Sequence, residues 1–360
     1  MSRRCPRCKT VYAGEARFCP KDGSPLVDVG SVGGKVVEAP KSASLDSGTQ
    51  VRQATPMKKG FGLDRAGSLA DQVIDSRYQV LRKIGEGGMA MVYEARDVNS
   101  GAFVAIKVLS PKLSKDDSSV ERLRREAGLA MRLEHPNACK ILRLGETEDG
   151  LIYLVMPFLD GELLSDREAK IGPVDIELGV AWMAQCCAGL HHAHQLNIVH
   201  RDLKPENIMV VKGDSDGEIA VVMDFGLAKE SKSEPGVAKL TATGIILGTP
   251  EFMSPEQIRG KDLDARSDVY ALGIVAFELF TGKLPFQGRT PQEMMISRLR
   301  GKPTPARKFR AEFPASLEAV LMKALETDPP KRYSSTLEFG HALVDAIESP
   351  NKAQLKGMLA

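Results

Sequence analysis

Two short stretches of the chain carry side chains that could transfer a phosphoryl group. The first is HRDLKPEN at residues 200–207, and the second is DFG at residues 224–226. Phosphoryl transfer needs a carboxylate near the attacking hydroxyl, cations on the phosphates and oxygen ligands for magnesium. The two stretches supply side chains of each kind, namely Asp202, Lys204, Asn207 and Asp224.

Each of these side chains suits one part of the reaction. Asp202 can accept or orient the hydroxyl proton, and Lys204 can neutralise the transferring phosphate. Asn207 can hold a metal ion through oxygen, and Asp224 can hold metal from the other side. The residues therefore predict a phosphoryl-transfer centre that uses Mg²⁺.

The two strings, in this order, are signatures of protein kinases. Residues 78 to about 346 resemble a eukaryotic-type (Hanks-type) serine/threonine protein kinase of the bacterial kind. The resemblance implies an α+β, bilobal protein-kinase fold with a small, mostly β lobe that contains one key helix and a large, mostly α lobe. It also implies ATP and Mg²⁺ (or Mn²⁺) as cofactors, and proteins with Ser or Thr acceptors as substrates.

Composition and pattern divide the chain into four parts. We expect a small zinc-ribbon-like module, a flexible linker rich in Gly, Ser, Ala, Lys and Asp, a kinase domain and a polar-to-amphipathic tail. The predicted boundaries are 1–26, 27–76, 77–346 and 347–360. Within the kinase domain we expect the small lobe at 77–156, the hinge at 157–161 and the large lobe at 162–346.

Composition places the chain among ordinary globular proteins. Hydrophobic residues make up 42% and charged residues 27% of 360, and the net charge is +2. This charge balance demands neither nucleic acid nor an anionic membrane, so we expect no nucleic-acid partner. The longest apolar run, Val269 to Phe280, contains Glu278 and is far shorter than the roughly 20 residues that span a bilayer.

The same run therefore predicts a buried core helix rather than a membrane span. The first 30 residues hold no continuous apolar segment, so we expect no secretory signal and a cytoplasmic protein. Membrane-anchored members of the kinase family continue into a transmembrane helix that this chain does not reach. Either the protein is soluble or the sequence is truncated.

The nucleotide is expected between a glycine-rich loop and the hinge. Alternating apolar residues from Tyr78 predict a strand that leads into GEGG at 85–88, and VAIK follows at 104–107. Ala90 stands where the family has its third glycine, so we expect altered loop mobility with nucleotide binding kept. The expected ATP-binding residues are Gly85, Glu86, Gly87, Gly88, Val92, Ala105, Lys107, Met156, Pro157 and Leu159.

The hinge should bind adenine through its backbone. Met156 takes the gatekeeper position, and Pro157 replaces a glutamate that is frequent in the family. Proline lacks an amide hydrogen but keeps its carbonyl, and Leu159 keeps its amide. We therefore expect ATP to bind.

Lys107 ends an apolar strand, where a charge needs a partner. Its expected partners are the ATP phosphates and Glu126, which lies in a predicted helix that begins near Asp117. Glu121 is the rival for this pairing. The resemblance gives the pair of Lys107 and Glu126 the role of an on/off latch in the small lobe.

The segment between Asp224 and Glu256 is expected to regulate activity. Thr241 and Thr243 are candidates for autophosphorylation in trans, which implies self-association, and Arg201 is the expected partner of the phosphate. Thr249, before a proline, resembles serine/threonine kinases and can bond Asp202 and Lys204.

Other residues are expected to support the site. The resemblance implies a buried ion pair of Glu256 with Arg332, and a hydrogen bond from the backbone of the catalytic loop to Asp268. His200 is expected to pack beneath that loop. Cys139, Cys186 and Cys187 lie in apolar contexts and are predicted to be small core residues.

The N-terminal cysteines have the spacing of zinc knuckles. CPRC at 5–8 is followed by CPKD at 19–22, so Cys5, Cys8, Cys19 and Asp22 are the candidate Zn²⁺ ligands. Structural zinc sites usually use Cys or His, which leaves the fourth ligand open. The alternatives are a degenerate ribbon without metal and a site completed by another residue or chain.

Two other functions compete with a protein kinase. A pseudokinase scaffold would keep the fold without efficient transfer, but such proteins generally lose one of the residues Lys107, Asp202 or Asp224, all of which are present. A small-molecule kinase would lack the peptide-docking shelf that SPE at 254–256 and Thr249 indicate.

Overall fold

The computed structural model describes residues 2–4, 11–13, 27–28, 36–38, 69–87, 90–110, 117–148, 150–213, 217–225 and 250–359. The chain separates into two compact units, residues 1–57 and 58–360.

The N-terminal unit contains a sheet of short strands. Its strands are β1 (Ser2–Arg4), β2 (Val11–Ala13), β3 (Val27–Asp28) and β4 (Val36–Glu38), in the order β3-β1-β2-β4. β1 is antiparallel to β2 and β3, and β2 is parallel to β4. β3 and β4 thus lie within the segment predicted as linker. The zinc-ligand candidates Cys5, Cys8, Cys19 and Asp22 lie outside the described residues, so a zinc site stays a prediction.

The small lobe of the second unit is an antiparallel sheet. Its strands are β5 (Val73–Ile74), β6 (Tyr78–Gly87), β7 (Ala90–Asp97), β8 (Phe103–Leu109), β9 (Arg143–Glu146) and β10 (Ile152–Pro157), in the order β5-β6-β7-β8-β10-β9. Tyr78 and Val80 on β6 are buried while Gln79 and Leu81 are exposed, as an alternating pattern dictates. One face of the sheet therefore forms the core of the lobe.

One described helix belongs to this lobe. Helix α1 (Asp117–Ala130) connects β8 to β9 and begins where the acidic and hydroxyl residues predicted its start. Leu123 and Ala127, one turn apart, are buried. The helix thus turns one face to the lobe and places Glu126 beside the buried face.

The large lobe is mostly helical. Its helices are α2 (Leu164–Ile171), α3 (Ile176–Gln195), α4 (Pro255–Ile258), α5 (Ala265–Thr281), α6 (Pro291–Arg300), α7 (Ala315–Ala324), α8 (Thr336–Asp345) and α9 (Lys352–Gly357). α5 contains the long apolar run and is buried along nearly its whole length, which confirms the predicted core helix. In the part of the chain that the structure describes, no helix combines the length and apolar character needed to cross a bilayer.

A small sheet carries the catalytic loop. Its strands are β11 (Gly161–Leu163), β12 (Ile208–Lys212) and β13 (Glu218–Val222), all antiparallel. The loop runs from the end of α3 to β12 and closes with a 3-10 turn at Pro205–Asn207. The DFG string begins two residues after β13, so the hairpin of β12 and β13 brings both stretches together.

Helix α9 lies in the segment predicted as a tail. Leu355 and Leu359 are only 3% and 4% exposed and belong to the core of the large lobe. A Cβ at Gly340 on α8 would lie 2.7 Å from Leu359 Cδ2 and 2.9 Å from Cys187 Cβ on α3. The close approach that glycine permits here lets the end of the chain pack against both helices.

Candidate active site

The catalytic loop holds its side chains through local hydrogen bonds. Asn207 Nδ2 donates to the Asp202 carbonyl oxygen at 2.7 Å, and the Met223 amide donates to the Asn207 carbonyl at 2.8 Å. The first bond fixes the Asn207 amide against the loop, and the second joins the loop to the residue before Asp224. Lys204 Nζ lies 3.9 Å from Asp202 Oδ2. The predicted catalytic and metal-binding residues are therefore brought together.

Two residues of the site have left-handed backbone conformations. Arg201 has a φ of 64° and Asp224 a φ of 58°, although neither is glycine. Such conformations cost of order 1 kcal/mol each and persist where surrounding contacts hold them. Asp268 supplies such contacts for the catalytic loop. Its carboxylate accepts the His200 amide at 2.8 Å and the Arg201 amide at 3.1 Å.

Asp268 is buried at the start of α5, and His194 Nε2 lies 2.7 Å from its Oδ2. Burial acts to raise the pKa of Asp268, but the hydrogen bonds from His194 and the His200 amide outweigh it, so the net pKa is lowered. The expected bond between the loop backbone and Asp268 is confirmed. A charged carboxylate thus anchors the loop to the core helix.

His200 supports the loop from below. Its Nε2 lies 2.7 Å from the Met223 carbonyl oxygen, and its ring packs against Phe225 with centroids 5.1 Å apart. The Asp202 amide lies 3.3 Å from His200 Nδ1. His200 is buried, as expected for a structural residue that does not reach the reacting groups.

Lys107 on β8 pairs with the metal-binding candidate. Its Nζ lies 2.8 Å from Asp224 Oδ2, and the two side chains are 12% and 33% exposed. Glu126 on α1 has Oε1 3.9 Å from Arg201 Nη1. These contacts do not include the expected ion pair of Lys107 with Glu126, so the latch between the two residues stays a prediction.

The expected nucleotide-binding residues lie on neighbouring strands. Strand register places Gly85 opposite Val92, Val92 opposite Lys107, and Ala105 opposite Met156. Gly85, Glu86 and Gly87 end β6, Met156 and Pro157 end β10, and Leu159 follows, whereas Gly88 lies outside the described residues. Lys83 Nζ donates a hydrogen bond to Glu86 Oε2 at 2.6 Å. The sheet thus aligns the glycine-rich strand, the lysine and the hinge.

Behind the catalytic loop, Glu256 and Arg332 form a buried ion pair. Arg332 Nη1 and Nη2 lie 2.7 and 2.8 Å from the two Glu256 carboxylate oxygens, and Ser267 Oγ donates to Oε1 at 2.7 Å. Burial acts to raise the pKa of Glu256, but the bonds from Arg332 and Ser267 lower it overall. The expected pair is confirmed, and it joins α4 to the segment before α8.

Beside the catalytic loop, the structure shows an acidic cavity that sequence reasoning missed. The cavity has a volume of about 650 Å³, and its lining includes Glu168, Glu206, Glu251 and Glu278. Burial, then Glu278 and Glu206, raise the pKa of Glu168 to about 8, and burial, then Glu206 and Glu251, raise that of Glu278 to about 7. These glutamates come from separate elements, so no local pattern signals their convergence.

The threonines predicted to regulate activity are not among the described residues. Thr241, Thr243 and Thr249 are outside the described residues, as is Gly226 of the DFG string. Arg201, their expected phosphate partner, is described and lies at the loop. The regulatory assignments therefore stay predictions.

Comparison with known proteins gives consistent matches. The model of the protein kinase domain matches residues 78–344. Serine/threonine-protein kinase pkn3 of Myxococcus xanthus is 37% identical over 270 residues, which are 74% of this chain and 49% of that protein. Serine/threonine-protein kinase PrkC of Bacillus subtilis is 40% identical over 262 residues, 73% of this chain and 39% of that protein.

A solved structure extends the likeness to three dimensions. The crystal structure of the Mycobacterium tuberculosis PknI kinase domain matches with a TM-score of 0.62 at 29% identity. The match covers 78% of this chain and 100% of that chain. The chain spans about half or less of the length of the curated relatives named above.

Proposed function

This chain belongs to the protein kinase family, and from that premise we propose that it transfers the γ-phosphoryl group of ATP to Ser or Thr hydroxyls of proteins. One observation carries the proposal: the loop of Asp202 and Asn207 is bonded to the segment of Asp224, which in turn contacts Lys107. The residues that we propose as proton acceptor, metal ligand and phosphate-binding cation thus lie near one another, which supports the proposal.

In the proposed reaction, Asp202 accepts or orients the proton of the acceptor hydroxyl. Lys204 and Lys107 hold negative phosphate oxygens, and Asn207 and Asp224 are the residues that would hold Mg²⁺. Since Asn207 Nδ2 donates to the Asp202 carbonyl, Oδ1 is its amide atom with a lone pair for a metal, and carboxylate and amide oxygens suit Mg²⁺. The bound cation supplies charge neutralisation on the phosphates.

The contact of Lys107 with Asp224 fits this role. Both side chains retain partial exposure, so each can exchange the other for a phosphate or a metal ion. The proposal places the kinase domain in the cytoplasm. That compartment holds ATP and keeps thiols reduced, consistent with the free, buried thiols of Cys139, Cys186 and Cys187.

We further propose that activity rises on autophosphorylation in trans at Thr241 or Thr243, through transient self-association. The proximity of Arg201 to Glu126 supports this, because a phosphate bound by Arg201 would act on α1 as well as on the loop. We also propose that Cys5, Cys8 and Cys19 bind Zn²⁺, with Asp22 as the candidate fourth ligand. Metal analysis of the purified protein should find about one zinc per chain, lost in a Cys5→Ser, Cys8→Ser variant.

Mass spectrometry after incubation with ATP and Mg²⁺ tests the main proposal. We expect phosphate on Thr241 or Thr243 in the wild type. The same result is expected for the control variant Asp262→Asn, because Asp262 is exposed and lies far from Asp202 in the sequence. Asp202→Asn should carry none. Unmodified wild-type protein that still binds ATP and phosphorylates no added protein would instead favour a scaffold.

A further inference from the structure

Helix α6 contains a buried cation that the reaction does not use. Arg298 is 1% exposed, and its Nη1 donates to the carbonyl oxygen of Pro250. Building on the proposed kinase function, we propose that Arg298 is a positioning residue. It holds the turn at Pro250–Phe252, and with it the surface on which the protein substrate is bound.

The environment of Arg298 argues that it does more than fill space. Among the described residues, it forms no ion pair within 4.0 Å, and its Nε has no hydrogen-bond partner. Burial lowers the pKa of Arg298, while Tyr270 and Glu251 act to raise it. A buried cation without a paired carboxylate is costly, and an apolar side chain of similar length would avoid that cost. The bond to the Pro250 carbonyl is what the guanidinium adds.

The turn that Arg298 holds belongs to the wall of the acidic cavity. Glu251 and Phe252 line this cavity together with Pro205 and Glu206 of the catalytic loop. The turn that we propose as part of the acceptor surface therefore borders the catalytic loop at this cavity. A shift of Pro250 would change the distance between the Pro250–Phe252 turn and the catalytic loop.

A second attachment fixes the other end of the same segment. Gln257 Nε2 on α4 donates to the Arg201 carbonyl at 2.6 Å, and Gln257 with Ser254 forms a capping box at the start of that helix. The segment is thus bonded to the catalytic loop at one end and to α6 at the other. Loss of Arg298 would release the Pro250 end while the catalytic loop keeps its own bond.

This asymmetry predicts a selective kinetic effect. Arg298→Met keeps the length of an apolar stem and removes the bond, whereas Arg298→Lys keeps a charged donor. For Arg298→Met we expect the KM for the acceptor protein to rise about 10-fold, which is the size of one lost hydrogen bond. The KM for ATP should stay within about 2-fold, and Arg298→Lys should recover most of the loss.

The acceptor in this experiment is the full chain with Asp202→Asn, phosphorylated in trans by wild type or variant. Arg300→Met is the matched control, because Arg300 is an exposed arginine on the same helix. An unchanged acceptor KM in Arg298→Met, or a fall in kcat alone, would overturn the inference. So would failure of Arg298→Lys to recover the acceptor KM.

Two further results keep the outcomes separate. If Arg298→Met lacks a cooperative unfolding transition, Arg298→Gln replaces it. Its side chain is shorter than that of arginine, which draws the donor away from the Pro250 carbonyl, and it is neutral, which removes the buried charge. A wild-type acceptor KM in that variant would reject the role of Arg298. If the wild type phosphorylates neither the Asp202→Asn chain nor dephosphorylated casein, it is the kinase proposal that fails.

Discussion

The ion pair behind the catalytic loop and the charged groups within the site are held in different ways. Glu256 and Arg332 are 7% and 0% exposed and share two bonds of 2.7 and 2.8 Å. In the site, Lys107 and Asp224 share one contact of 2.8 Å and are 12% and 33% exposed, and Arg201 lies 3.9 Å from Glu126. The pair of Glu256 with Arg332 is buried, whereas the charged groups of the site are partly exposed to solvent.

The difference separates structural charges from charges that must change partners. A buried, doubly bonded pair has a single favourable geometry and no room for a ligand. Partly exposed groups with single or long contacts can give up one another for phosphate or metal at little cost. The two sets should therefore respond in opposite ways to removal of one charge.

The largest effect should come from Asp224→Asn, and it should fall on activity alone. Asparagine tolerates the left-handed conformation of this position, but it lacks the charge for a metal ion. We expect phosphorylation rates to fall about 1000-fold or more, while the free energy of unfolding in urea changes by less than about 1 kcal/mol. A stability loss above about 2 kcal/mol would place Asp224 with the structural charges.

Glu256→Gln should instead act mainly on the stability of the fold. It leaves the Arg332 guanidinium buried without its counter-charge, and we expect a loss of about 3 to 5 kcal/mol in the free energy of unfolding. The double variant Glu256→Leu, Arg332→Met should recover much of that loss. Asp328→Asn, which opens an exposed pair with Lys331, is the control and should leave the urea midpoint unchanged. Equal midpoints for the control and Glu256→Gln would refute the distinction.

The acidic cavity should give a smaller effect that depends on pH. The pKa of Glu168 rises from an ordinary 4.5 to about 8 in the folded protein. Between these values the unfolded chain has lost the proton and the folded chain retains it, so the folded state loses stability as pH rises from about 4.5 to about 8.

Glu168→Gln should therefore be more stable than the wild type above pH 8, by about 1 to 3 kcal/mol. This advantage should shrink as pH falls and vanish near pH 4.5. Urea unfolding across this pH range measures the difference, with Asp166→Asn on the same helix as an exposed control. An advantage that is independent of pH would mean that packing, and not ionisation, separates the two proteins.

The sequence predicted the proximity of candidate site residues where they lie in one short string. Asp202 and Asn207 are five residues apart, so one loop conformation places both. The confirmed pairing of Glu256 with Arg332 came from the resemblance, since the two lie 76 residues apart. The strand that begins at Tyr78 and the buried helix α5 were predicted correctly because their apolar patterns extend over several residues.

Sequence reasoning missed contacts between elements that are distant along the chain. Glu168 and Glu251 look like solvated charges in their own segments, and Glu278 interrupts an apolar run. Only the packing of α2, α5 and the Pro250–Phe252 turn joins the three. Arg298 lies in a helix rich in polar residues, where nothing local distinguishes it from the exposed Arg300. The contact of Lys107 with Asp224 joins residues 117 positions apart on separate elements, which no local sequence pattern indicates.

The packing of α9 against Gly340 and Cys187 has a consequence for proteolysis. The link between α8 and α9 passes through exposed positions such as Glu348, where a protease could cut. A cut there would release the segment that buries Leu355 and Leu359, whose burial stabilises the large lobe by about 1.5 to 3 kcal/mol each. Residues far from the catalytic loop along the chain would then determine the stability of the cleaved protein.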